Sequence, residues 1–194
     1  MNLDLTSSEY ILVAIAIAGI VLAGVLVWLN AKKRKATTAG LRQRFGTEYD
    51  RAVQKHGSER KGQATLRDRE KRVEKLNIRD LEPAERERFL EQWKSAQARF
   101  VDSPKEAVTE ADALLSSLMQ ARGYPLSDFE RRVGNMSVDY PEAMENYRAA
   151  HAIALKGGDS ETSTEDLRTA MVHYHSLFEE LLKARVIETT QVAA

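Results

Sequence analysis

Residues 162–182 read TSTEDLRTAMVHYHSLFEELL, and this stretch decides the fold class. Its apolar residues recur at helical spacing, which is typical of a helix with one face buried in a core. They are Leu167, Ala170, Met171, Tyr174, Leu177, Phe178, Leu181 and Leu182. Thr162 and Glu165 have the spacing of a capping box, in which two side chains satisfy free N–H groups at a helix start. The stretch therefore predicts a long amphipathic helix.

The same helical period continues upstream, from Leu41 to His56 and again through most of residues 77–156. Predicted helix starts are Glu82-Pro83, the capping boxes Ser103/Glu106 and Asp139/Glu142, and the cap Ser127 with Glu130 three residues later. Predicted helix ends are Gly57, Gly123 and Gly157-Gly158, because glycine readily takes the left-handed conformation that closes a helix. Since no segment alternates with period two, the sequence predicts an all-α fold. We expect five or six helices, packed as a bundle, after residue 40.

A second signal lies near the start of the chain, where residues 11–29 read ILVAIAIAGIVLAGVLVWL. Such a helix is long enough to cross the ~30 Å hydrocarbon core of a bilayer. Tyr10 and Trp28 stand at its ends, where amphipathic rings prefer the headgroup layer, and the cations Lys32, Lys33, Arg34 and Lys35 follow. These six residues form the predicted membrane interface. A cleaved signal peptide is the alternative, but the first nine residues carry no basic side chain.

The flanking charges predict how the helix is oriented. Basic residues follow the apolar run and none precedes it, so the positive-inside rule places the N-terminus outside and the rest of the chain in the cytoplasm. We therefore expect a single-pass protein of a bacterial inner membrane. Small residues at Ala14, Ala18, Gly19 and Ala23 would allow two such helices to approach closely, so a homodimer through the membrane is a further expectation.

The charge pattern divides the rest of the chain. Residues 32–75 hold 15 Lys and Arg against 6 Asp and Glu, whereas residues 76–194 hold 14 against 21. The predicted organisation is an outer N-terminus at 1–10, the span at 11–30, a polybasic hinge at 31–40, basic charged helices at 41–76, an acidic helical core at 77–186 and a tail at 187–194. The basic helices lack aromatic residues that could stack on bases, so no nucleic-acid partner is predicted.

The sequence contains no recognisable catalytic or cofactor motif. Cysteine is absent, which excludes disulfides, a thiol nucleophile and zinc sites built on cysteine. His173 and His175 are two residues apart, so a helix would point them in different directions and they could not share a metal ion. The glycine pair at 157–158 lacks the flanking strand and lysine of a phosphate-binding loop. We predict no enzyme activity, no metal and no cofactor.

Two tracts place polar side chains beside apolar helix faces. They are YRAAH at 147–151 and MVHYH at 171–175. The candidate partner-binding residues in them are Tyr147, Arg148, His151, His173 and Tyr174.

The whole chain resembles an uncharacterised group of small bacterial single-pass membrane proteins, which have a short N-terminus, one span and then a helical domain. The resembling stretches are LRQRFGTEYDRAV (41–53), RDREKRVEKLNIRDL (67–81), FERRVGNMSVDYPEAMENYRAAHAIA (129–154) and STEDLRTAMVHYHSLFEELL (163–182). The resemblance implies one membrane span followed by a helical domain, and it implies no activity.

These observations favour a membrane-anchored helical scaffold that binds the bilayer and a protein partner. Three alternatives stay open: a sensor whose basic segment binds anionic lipid reversibly, an enzyme of unidentified class, and a secreted domain released by cleavage near residue 30.

Overall fold

A computed structural model describes residues 37–156 and 162–183 of the chain, together with single helical residues at 22, 24, 25, 28, 29 and 32. The chain separates into two compact units, Met1–Gln43 and Arg44–Ala194. Within the described residues, no helix combines the length and the apolar character that crossing a bilayer requires. Most of the predicted span at 11–30 and half of the hinge at 31–40 lie outside the described residues.

The described residues are all-α, as the sequence predicts. Residues 37–45 are helical, and seven further helices follow. They are α1 (Thr47–His56), α2 (Glu59–Val73), α3 (Pro83–Arg99), α4 (Pro104–Ala121), α5 (Phe129–Met136), α6 (Ala143–Lys156) and α7 (Thr164–Leu182). The predicted count of five or six is therefore too low. Gly46 separates residues 37–45 from α1 and so adds a helix that the sequence does not predict.

The helices α1 and α2 form a hairpin. Gly57 turns the chain with a positive φ of 70° and ends α1, as predicted. Across the hairpin, a Cβ built on Gly62 would lie 2.8 Å from the backbone of Val53, so only glycine allows the two helices to approach this closely. The predicted continuous helix from Leu41 to His56 is wrong, because Gly46 interrupts it with a φ of 49°.

The main core is built from α3 to α7. Helix α4 packs against both α3 and α7, and α7 also packs against α6. The predicted apolar face of α7 is buried over its full length, from Leu167 to Leu182. On α3, the Trp93 ring stacks on Phe178 of α7, with the ring centroids 4.7 Å apart. The helical periods seen in the sequence therefore identify the residues of the core.

The predicted helix starts are right to within a few residues, but several predicted caps are wrong. In α7 the capping box joins Ser163 and Asp166, one residue after the predicted pair. In α5 the cap is Asp128, whose carboxylate accepts from the backbone N–H of Arg131 at 2.9 Å, and not Ser127. Adjacent residues of similar capping strength cannot be ranked from sequence, because all of them accept hydrogen bonds from a helix start.

Two other caps fail for different reasons. Ser103 precedes Pro104 at the start of α4, but its side chain accepts no capping hydrogen bond. Asp139 was expected to start α6, which begins four residues later at Ala143. Its carboxylate instead accepts a hydrogen bond from the Tyr124 hydroxyl, so a tertiary contact takes the place of the local cap.

A buried arginine joins the end of α4 to three other parts of the chain. Arg122 is 1% exposed. Its guanidinium donates to the backbone carbonyl of Lys183 after α7 at 3.0 Å and to the Tyr140 hydroxyl at 3.2 Å. Its own carbonyl accepts from the N–H of Arg79, in the segment that precedes α3, at 2.9 Å. These contacts fix the connecting segments against the core.

Candidate functional site

A polar cluster at the junction of α4, α6 and α7 is organised around Asp112 of α4. The Tyr174 hydroxyl, from α7, donates a hydrogen bond to the Asp112 carboxylate at 3.0 Å. His151, from α6, places its Nδ1 atom 3.6 Å from the same carboxylate oxygen. The imidazole of His151 also stacks on the ring of Phe129 from α5, with the centroids 3.8 Å apart. Three helices therefore meet at one carboxylate, and α5 joins them through the imidazole of His151.

Tyr147 of α6 belongs to the same cluster, but the hydrogen bonding of its hydroxyl differs from that of Tyr174. Its ring is fully buried, with its centroid 6.0 Å from that of Tyr174. Its hydroxyl has no hydrogen-bond partner among the described residues. Burial, reinforced by the negative charge of Asp112, raises the pKa of both tyrosines. Both hydroxyls therefore stay protonated at neutral pH, and neither can serve as a base.

The two tyrosines allow a matched pair of substitutions. We expect Tyr147→Phe to stabilise the fold by about 1 kcal/mol, because it removes a buried hydroxyl that lacks a partner. We expect Tyr174→Phe to destabilise it by about 1–2 kcal/mol, because the Asp112 carboxylate loses its donor. Urea denaturation of the full chain in neutral detergent, followed by circular dichroism, measures both changes. Equal losses of stability in the two variants would contradict this assignment of the hydrogen bonds.

Arg148 lies in a second cluster, on another face of α6. Its guanidinium forms ion pairs with Glu48 of α1 at 3.4 Å and with Glu130 of α5 at 2.7 Å. Glu48 is only 2% exposed and also contacts Arg69 of α2 at 3.3 Å. Arg69 in turn donates to the hydroxyl of Ser137, which follows α5, at 3.1 Å. This cluster joins the α1–α2 hairpin to the main bundle through charged groups.

The five residues predicted as a partner site are therefore not one site. Tyr147, His151 and Tyr174 meet around Asp112, whereas Arg148 belongs to the Glu48 cluster. His173 is half-buried and lies next to Tyr174 in the chain, so its side chain points about 100° away around the helix. The neighbouring His175 stacks on Trp93, with the centroids 5.2 Å apart.

The carboxylates that organise both clusters are not among the residues predicted from the sequence. Asp112 and Glu48 occupy apolar-face positions of their helices: Asp112 lies between Val108 and Leu115 on α4, and Glu48 lies four residues before Ala52 on α1. A charged residue at a position that should be buried is the signal that would have found them. Nowhere in the described part of the chain do three or more His, Asp or Glu side chains converge as they would around a metal ion.

Only part of the predicted membrane interface is described. Trp28 and Lys32 are helical, and the Lys32 ammonium lies 5.4 Å from the centre of the Trp28 ring. Tyr10, Lys33, Arg34 and Lys35 lie outside the described residues, as do Ala14, Ala18, Gly19 and Ala23 of the predicted dimer contact.

Comparison of the chain with protein-family models, with characterised proteins and with solved structures finds no match.

Proposed function

We propose that this chain is a single-pass membrane protein whose helical domain binds a partner protein on the cytoplasmic side. The uncharged run at 11–29 and the cations at 32–35 support the anchor and its orientation. The described residues within the run add to this support, because Leu22, Val25, Trp28 and Leu29 are all exposed. Exposed large apolar side chains are typical of a surface that contacts lipid or another protein.

A groove between α3 and α4 is the observation that supports partner binding most directly. It has a volume of about 510 Å³, with Phe89 and Leu114 in its floor. Its rim carries polar side chains, among them Arg88, Gln92 and Glu110. An apolar floor with a polar rim fits the apolar face of an amphipathic helix, a common mode of peptide recognition. The buried rings of Tyr147 and Tyr174 do not reach the surface, so we assign binding to the groove and not to them.

Substitution of exposed alanines tests the groove. Ala113 lines it, and Ala149 is an exposed alanine on α6 that does not. We expect Ala113→Arg to abolish capture of the partner, because the long charged side chain would fill the groove, and Ala149→Arg to leave capture unchanged. The measurement is photo-crosslinking from a probe at Ser117 in native membranes, followed by mass spectrometry of the adduct.

Two results would contradict the proposal. Equal capture by Ala113→Arg and the wild-type chain would exclude the groove as the binding surface. Release of the chain from membranes by carbonate, or a carboxyl-terminal reporter that is active only outside the cytoplasm, would exclude the anchor or its orientation.

A further inference from the structure

The junction between the α1–α2 hairpin and the bundle contains a cleft of about 360 Å³. Four cationic side chains line it: Arg51, Lys55, Arg69 and Arg148. This volume lies within the range of sites for small molecules, roughly 300–1,000 Å³. The cleft is built from four helices, α1, α2, α5 and α6, so folding is what brings these cations together.

The cations outnumber the carboxylates that face them. Glu48 contacts Arg51 at 3.4 Å, in addition to its ion pairs with Arg69 and Arg148. Glu130 contacts Lys55 at 2.8 Å and Arg148 at 2.7 Å. Four positive charges therefore face two negative charges. Burial lowers the pKa of the Arg69 guanidinium, which indicates that the loss of hydration disfavours its charged form.

The two carboxylates differ in how firmly they are held. Glu48 is buried and fixed among three arginines. The Glu130 side chain is 55% exposed, although hydrogen bonds from Lys55 and the charge of Arg148 lower the pKa of its carboxyl group. An exposed side chain of this kind can rotate into solvent at small cost. Its two oxygens therefore occupy a position where another anion would meet the same ammonium and guanidinium groups.

We propose that this cleft binds a phosphate group, whose oxygens replace the Glu130 carboxylate between Lys55 and Arg148. Arginine and lysine together are the usual ligands of phosphate, since guanidinium binds two oxygens and ammonium acts as a point charge. The phosphate belongs either to a small molecule or to the headgroup of an anionic lipid. Because both sources present the same oxygens, the geometry of the cleft suits either.

The first test measures binding of inorganic phosphate to the full chain in neutral detergent, by calorimetry at constant ionic strength. We expect saturable binding by the wild-type chain. Lys55→Gln should weaken it about tenfold, the equivalent of one lost charge-assisted hydrogen bond. Glu130→Gln should strengthen it several-fold, because the competing carboxylate is gone. Arg131→Gln is the matched control: Arg131 is exposed, lies next to Glu130 and should have no effect.

The second test identifies the source of the phosphate. The full chain is placed in nanodiscs of phosphatidylcholine alone or mixed with phosphatidylglycerol, and its thermal unfolding is compared with that of Lys55→Gln. A stabilisation by phosphatidylglycerol that is lost in Lys55→Gln supports a lipid headgroup, and one that requires added phosphate supports a small molecule. The proposal is overturned if Lys55→Gln and Glu130→Gln both respond like the wild-type chain, or if neither source is bound. Lys55 and Glu130 are both more than half exposed, so neither variant should disturb folding.

Discussion

Replacing Glu48 with alanine is expected to destabilise the chain by about 3–5 kcal/mol, the usual cost of removing one partner from a buried ion pair. The carboxylate is 2% exposed and faces the guanidinium groups of Arg69 and Arg148, which are themselves 11% and 15% exposed. Without Glu48 these two guanidinium groups remain poorly hydrated and lose the carboxylate that balances their positive charge. The α1–α2 hairpin is held to the bundle partly through them, so we expect it to loosen first.

Matched variants separate this effect from a simple change of charge. Asp68→Ala removes a negative charge from an exposed position on α2 and should change the free energy of unfolding by less than about 0.5 kcal/mol. The double variant Glu48→Ala with Arg69→Met should recover part of the lost stability, because it also removes a guanidinium group that Glu48→Ala leaves without its carboxylate. Urea denaturation of the full chain in neutral detergent gives all three values. A loss in Glu48→Ala no larger than in Asp68→Ala would show that the ion pairs contribute nothing.

The position of Glu48 shows what the sequence could reveal about the candidate sites. Glu48, Tyr49 and Ala52 follow the spacing of one buried face of α1, and a carboxylate in that series must find a cationic partner. Its burial could therefore be predicted. Its partners could not, because Arg148 is 100 residues away in the chain and periodicity carries no information about which helices pack together.

The helix faces, by contrast, follow from local spacing. Tyr147 and His151 are four residues apart and share a face of α6, whereas Arg148 is turned by about 100° and points elsewhere. The helical period alone therefore separates Arg148 from the other two residues, although all three are close together in the sequence. The same argument separates His173 from Tyr174 on α7.

The two clusters differ in what they can do. The Asp112 cluster lies where α4, α6 and α7 meet, and its tyrosines keep their protons, so it serves to join these three helices. The Glu48 cluster lies where a small hairpin meets that core and opens to a cleft with surplus positive charge. An anion bound there would add contacts to both sides of the junction. We therefore expect any ligand of the cleft also to tighten the hairpin against the bundle, since a ligand stabilises the state that binds it.

Replacing Gly123 with alanine is expected to destabilise the chain by about 2–5 kcal/mol. Gly123 follows α4 with a φ of 97°, which costs an L-residue ~1–2 kcal/mol. A Cβ at this position would also lie 2.2 Å from the carbonyl oxygen of Asn77, a backbone atom that cannot move aside without shifting the segment before α3. Overpacking of this kind typically costs ~1–3 kcal/mol more.

Gly57 provides the control, because it shares the positive φ of Gly123 but has open space around its Cα atom. Gly57→Ala should therefore show only the backbone cost, about 1–2 kcal/mol, and the difference between the two variants measures the contact with Asn77. The left-handed conformation of Gly123 was predictable from its place after an amphipathic helix, whereas the contact with Asn77 depends on how two distant segments meet. Urea denaturation measures the free energy of unfolding of both variants. Equal losses would mean that the segment before α3 moves to accept the added methyl group. Close packing against Asn77 would then not be the reason for glycine at this position.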